Sequence, residues 1–172
     1  LMDTQNTPIV TVIISSFNHA HYIEETINSV LNQTYPNIEL LVIDDGSSDN
    51  SVELLTKLQK QHGFDLLMQE NKGLSKTLNE AIARAKSELI VPLGSDDIML
   101  PERITTQVNY IKDKPEVVIC ASNMYIIDSE GNLFPEKEQK HRHIPFRRLD
   151  FDDIFLDRKP GAMAATLMLR KE

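Results

Sequence analysis

The chain has 172 residues, 41% hydrophobic and 26% charged, and 26 acidic against 18 Lys and Arg residues leave a formal net charge of -8. That length and apolar share support one compact domain without a disulfide or metal staple, and the single cysteine, Cys120, excludes an internal disulfide and fits a reducing, cytoplasmic compartment. The acidic balance opposes the phosphate-neutralising surface of a nucleic-acid binder, and no apolar run approaches the roughly 18 residues that span a bilayer.

The polar start, Leu1 to Asn6, has neither a basic flank nor an apolar core. Residues 1–7 therefore read as a disordered scar rather than a secretory signal. Ile9 to Ser15 is almost wholly β-branched or apolar, as suits a strand buried on both faces of a parallel sheet. Asn18 offers a helix cap, and Tyr22, Ile23, Ile27, Val30 and Leu31 recur at helical spacing until Pro36. The unit then repeats. Glu39 to Ile43 predicts a strand, and Val52, Leu54, Leu55 and Leu58 a helix ending at Gly63. Leu66 to Gln69 predicts a third strand, and Leu74, Leu78, Ala81, Ile82 and Ala85 a third helix. Leu89 to Leu93 predicts a fourth strand, Pro101 a helix first turn, and Val117 to Ala121 a fifth strand.

Strands alternating with helices at this pace imply an α/β fold, a mostly parallel, Rossmann-like sheet with helices on both faces. Beyond a turn at Asp128 to Asn132 the regularity fades. Residues 135–148 read as a flexible loop, Leu149 to Leu156 as a short helix, and Ala162 to Leu169 as a strand or a helix start. The chain reads as a single domain over 1–172 whose abrupt end at Glu172 suggests truncation.

In open α/β sheets ligands sit beyond the carboxyl ends of the strands. Four polar clusters fall there: Ser15-Ser16-Phe17-Asn18, Asp44-Asp45-Gly46-Ser47-Ser48-Asp49, Glu70-Asn71-Lys72-Gly73 and Gly94-Ser95-Asp96-Asp97. Adjacent aspartates in two of them are costly unless a cation or hydrogen-bond donors offset the charge. No Gly-x-x-x-x-Gly-Lys-Ser and no Gly-x-Gly-x-x-Gly occurs, which weakens ATPase and NAD-binding readings. An acidic rim can instead hold a nucleoside diphosphate through Mg²⁺ or Mn²⁺.

Taken in order, these four motifs resemble the nucleotide-sugar half of family 2 glycosyltransferases, of GT-A fold, from about Pro8 to about Tyr125. The resemblance implies that Ser15 and Phe17 line the nucleoside pocket and that Asp45 bonds the uracil or other base. Asn71 and Gly73 would flank the nucleotide, Asp96 would lie near the ribose and diphosphate, and Asp97 would be the metal ligand of an Asp-x-Asp motif whose first position here is Ser95. Where many members have Arg, this chain has Leu78, leaving Lys72 or Lys76 for the donor phosphates. The implied activity is inverting transfer from a UDP-sugar to a saccharide or lipid-linked hydroxyl, with Mn²⁺ or Mg²⁺, in bacterial surface polysaccharide or glycolipid synthesis at the cytoplasmic membrane face. Peripheral membrane attachment and a homodimer fit that process. Gly161 to Ala165 looks like the segment before the catalytic base, which would then lie past Glu172.

Two rivals stand beside this reading. A sugar nucleotidyltransferase would need a glycine-rich, basic first loop, which Ser15 to Asn18 lacks. A non-catalytic nucleotide-sugar binding module shares the motifs and differs only in lacking the base. Asp44 reads as structural, because strand neighbours point to opposite faces. His19 with His21 and His141 with His143 have metal-compatible spacing, but nothing places the pairs together. Cys120 reads as a buried inert thiol.

Overall fold

Strand β1 (Val10–Ser16) is buried along almost its whole length, as its sequence VTVIISS requires. In the computed structural model, which describes residues 7–139, 144–150, 152–153, 158 and 163–171, it lies inside a six-stranded sheet. The chain continues through α1 (Ile23–Leu31), β2 (Ile38–Asp44), α2 (Ser51–His62), β3 (Asp65–Met68), α3 (Leu74–Arg84), β4 (Leu89–Gly94), α4 (Arg103–Ile111), β5 (Ile119–Cys120) and β6 (Met168–Arg170). Strand order is β3-β2-β1-β4-β6-β5. The first four strands are mutually parallel, whereas β6 runs antiparallel to both β4 and β5.

Alternation along β1 divides the core. Val10, Val12 and Ile14 pack with Ile23 and Ile27 of α1, Leu55 and Leu58 of α2, and Ile104 and Val108 of α4. Ile13 faces the other way, onto Ala81 of α3 with Leu41, Ile43 and Ile90. Helices thus cover both faces, and burying these two apolar layers is the main force holding the sheet. Because β2 and β3 extend to one side of β1 while β4 pairs on the other, strand order reverses between β1 and β4. A crevice opens beyond the carboxyl ends at such a reversal. The register sets Ser15 beside Gly94 on one side and Ile43 on the other, at the mouth of that crevice.

Some expectations need correction and others gain detail. Asn18 does not cap α1: the residue before the helix is Tyr22, with no side-chain cap, and the Asn18 amide is used elsewhere. The strand predicted over Val117 to Ala121 contracts to Ile119–Cys120, and its ladder is antiparallel, because its partner β6 arrives from the distant end of the chain. Of the Ala162 to Leu169 stretch, the described residues hold a 3-10 turn at Ala164–Thr166 and then enter β6 at Met168, so the strand alternative holds only at its end. Residues 135–148 begin with an exposed 3-10 turn at Glu136–Glu138, after which the buried Gln139 amide bonds the N–H and C=O of Ile126. His141, His143, Gly161, Ala162 and most of the predicted 149–156 helix lie outside the described residues. Among the described residues no helix is long and apolar enough to cross a membrane.

Candidate functional site

The four polar loops are laced together at the carboxyl ends of β1 to β4. Asn18, in the left-handed region at φ 55°, donates its N–H to Ser47 Oγ at 2.9 Å and accepts from the Ser48 N–H at 2.8 Å. The Ala20 N–H donates to Asp49 Oδ2 at 3.0 Å. Asp44 is consumed locally, as a structural residue should be: its two oxygens take the Ser47 N–H at 2.9 Å and the Ser47 hydroxyl at 2.6 Å, closing a tight turn.

Asp45 is buried and fastens loops together. Its Oδ1 accepts from Gln69 Nε2 at 2.7 Å, the Lys72 N–H at 2.9 Å and the Thr77 hydroxyl at 3.0 Å, while Oδ2 accepts the Gly73 N–H at 2.9 Å. Burial opposes its charge, yet these four donors together hold its carboxyl below the usual carboxylate range. One side chain therefore fastens the Glu70–Gly73 loop and the start of α3 to the end of β2. Gly46 allows the close approach: a Cβ there would lie 2.7 Å from the Asn71 nitrogen, and its φ of 82° suits glycine.

The acidic loop is built differently. Ser95 is buried, its hydroxyl shares a 2.7 Å hydrogen bond with His19 Nδ1, and its carbonyl accepts from Thr26 Oγ1 at 3.1 Å. Asp96 is exposed and Asp97 half-buried, and both carboxylates fold over Gly94. A Cβ at Gly94 would lie 2.6 Å from Asp97 Oδ2 and 3.0 Å from Asp96 Oδ1. Burial first and the Asp96 charge second push the Asp97 carboxyl above its ordinary value, with Arg103 pulling the other way. Two hard oxygen donors converging on one point, with their charge only partly offset, fit a divalent cation such as Mn²⁺ or Mg²⁺. Among the described residues no group of three His, Cys, Asp or Glu side chains joins them, so solvent or a ligand would complete such a shell.

The remaining sequence-predicted residues fall on the same rim or beside it. Ser15 is half-buried next to Gly94, Phe17 is 46% exposed on the first loop, and Asn71 and Gly73 are exposed on the third. The two lysines differ. Lys72 Nζ pairs with Glu80 at 2.8 Å, and Lys76 is exposed on α3, where its charge also bears on Glu80. Leu78 packs against the core on the α3 face. His19 and His21 form no metal pair, since His19 serves Ser95 and His21 stacks edge-on against Tyr22 with centroids 4.9 Å apart.

Sequence reasoning missed Arg103, and it weighed His19 only as a metal ligand rather than as the partner of Ser95. Burial pulls the Arg103 guanidinium down to about 10, the Asp97 and Cys120 charges oppose that, and it donates to Leu167 O at 3.2 Å. The sequence gives Arg103 only as one basic residue after Pro101-Glu102, with nothing to mark its half-buried place near Asp97.

Residues 11–171 match the family model described as glycosyl transferase family 2. Over 129 residues the chain is 36% identical to an uncharacterised glycosyltransferase of Nostoc sp., covering 74% of this chain and 40% of that protein. It is 34% identical over 128 residues to the glycosyltransferase GlyG of Streptococcus pneumoniae, covering 73% and 42%. Among solved structures, a mannosyltransferase from Pyrobaculum calidifontis in complex with GDP-Man and Mn²⁺ superposes with a TM-score of 0.62 at 26% identity, covering 71% of this chain and 37% of that one. S. aureus TarS in complex with UDP-GlcNAc gives 0.61 at 25%, covering 72% and 36%. The matched stretches thus cover less than half of each of these four proteins, and the mostly parallel sheet with helices on both faces shares their GT-A arrangement.

Proposed function

Because the chain belongs to glycosyl transferase family 2, we propose that it holds the nucleotide-sugar donor, read as a UDP-sugar, for inverting transfer to a hydroxyl acceptor. The observation that carries this reading is the convergence of Asp96 and Asp97 over Gly94, in an acidic loop tied through the first loop to the base-side loops. A saccharide or lipid-linked acceptor in surface polysaccharide or glycolipid synthesis, at the cytoplasmic membrane face, completes the proposal.

Each residue has a task that its position supports. Asp45 Oδ1 is filled by three donors, but Oδ2 has one and keeps acceptor capacity for an N–H of the base. Phe17 offers an exposed ring, and Ser15 a hydroxyl, beside the nucleoside position. Asn71 and Gly73 wall the same side. Asp97, with Asp96 beside it, would hold a divalent cation, whose charge favours departure of the diphosphate by stabilising the negative charge gathered there. No base for the acceptor proton is assigned among the described residues.

Calorimetry with UDP, GDP and uridine, each with and without Mn²⁺, tests the reading. Mn²⁺ should strengthen UDP binding, and Asp97→Asn should remove that increment, about tenfold or more, while leaving uridine unchanged. Asp45→Ala should weaken uridine and UDP alike. Equal UDP affinity with and without Mn²⁺ would defeat the metal role, and tighter GDP than UDP would move the donor to a guanosine sugar.

A further inference from the structure

We propose that His19 is a positioning residue for the acidic loop, acting through Ser95 to set the two carboxylates at their cation site; the inference rests on the nucleotide-sugar reading above. Gly94, Ser95, Asp96 and Asp97 form a tight turn closed by the Asp97 N–H on Gly94 O at 3.2 Å. Both acidic side chains fold back over Gly94. Ser95 turns the other way, into the protein beneath α1, and is only 3% exposed. Its hydroxyl meets His19 Nδ1 at 2.7 Å and its carbonyl accepts from Thr26 at 3.1 Å. The peptide joining Ser95 to Asp96 is thereby held on the side away from the carboxylates, and a rotation of that peptide would swing both.

Such a hold has a physical reason. Two carboxylates brought together repel, and a loop carrying them opens unless something restrains it before the cation arrives. Restraint in advance is preorganisation, which lowers the cost of binding. His19 is itself braced: its carbonyl accepts both the Tyr22 and Ile23 N–H groups at 3.0 Å, and its ring meets Tyr22 edge-on at 6.0 Å. Its neighbour Asn18 bonds Ser47 and Ser48. Consecutive residues of the first loop therefore grip the base-side loop and the acidic loop separately.

Three variants test the role: His19→Ala, Ser95→Ala and His19→Asn, the last placing an amide near the position of Nδ1. Without ligand, amide exchange at Asp96 and Asp97 should quicken about tenfold in the two alanine variants. Mn²⁺ affinity of the UDP complex, read by electron paramagnetic resonance of free Mn²⁺, should fall about tenfold, with metal-free uridine binding within about twofold of the parent. His19→Asn should recover most of the loss and keeps the test open if His19→Ala does not unfold cooperatively. The double variant should lose no more than the worse single one. Parent-like exchange and Mn²⁺ affinity in the variants, parallel loss of uridine, or additive losses would each overturn the positioning role alone. If the parent chain binds neither UDP nor GDP with Mn²⁺, the nucleotide-sugar reading falls and this proposal falls with it.

Discussion

Gly94 shows how a single hydrogen in place of a methyl group can decide where charge stands. Its φ is outside the left-handed region, so alanine would not strain the backbone. What a Cβ would meet are the ends of two side chains, Asp97 Oδ2 at 2.6 Å and Asp96 Oδ1 at 3.0 Å, and these can swing away. Gly94→Ala should therefore fold with a Tm within about 3 °C of the parent, yet weaken Mn²⁺ binding about tenfold by parting the carboxylates. Thermal unfolding with a parallel Mn²⁺ titration checks both halves; undiminished affinity would mean that the cation uses another geometry. The aspartates were legible in the sequence, as adjacent acids after a predicted strand. The glycine was legible only as a turn residue, because its need for empty space arises from side chains folding back over it.

At the scale of elements, periodicity located the strands and helices of the parallel half to within a residue or two, since each buries one face locally. Gly63, left-handed at φ 76°, ends α2 where the sequence reading placed its stop. What periodicity could not show is how one loop is fastened to another. Asp45 reaches Gln69, Lys72, Gly73 and Thr77, a set 24 to 32 residues away in sequence. The sign of its pH dependence follows from its lowered carboxyl. The donors favour the charged form, so the folded loop binds a proton less readily than the unfolded chain. Its stabilisation is complete above the ordinary aspartate value of about 4 and disappears as pH falls through the lowered folded value. Protection of the Lys72 and Gly73 amides, taken relative to their intrinsic exchange rate at each pH, should accordingly hold at pH 5 and fall only in stronger acid. Asp45→Asn, which leaves some of those donors without an acceptor, should loosen the loop by about 1–3 kcal/mol wherever the parent carboxylate is charged, the difference closing in strong acid. An Asn variant with parent-like protection would show that the loop holds by packing instead.

On the scale of the whole molecule, the antiparallel edge is attached to the parallel half by the short β4–β6 ladder, and side chains and carbonyls of α4 reinforce it. Gln107, 3% exposed, donates to Thr166 O at 2.7 Å, and Arg103 donates to Leu167 O. Arg170 of β6 returns the contact, donating to Ile111 O at 3.0 Å and pairing with Glu88. These partners are separated by 59 and 64 residues or more, so no local pattern announces them. The strand predicted over Val117 to Ala121 was overextended for this reason: only the stretch that β6 reaches becomes ladder. Gln107→Leu keeps the apolar stem and removes the amide, leaving the Thr166 carbonyl, on a buried residue, without that donor at a cost of about 1–3 kcal/mol. Because the parallel strands keep both of their apolar layers, the loss should be regional. Amides of 119–120 and 163–171 should exchange through local opening, while those of β1 and β2 should exchange only with global unfolding. Arg103 loses its Gln107 contact in the same variant but keeps Leu167 O, so UDP binding with Mn²⁺ should change by less than about threefold. A uniform loss of protection across all strands would instead mean that the two halves unfold as one unit, with the antiparallel edge integral to the sheet that carries the acidic loop.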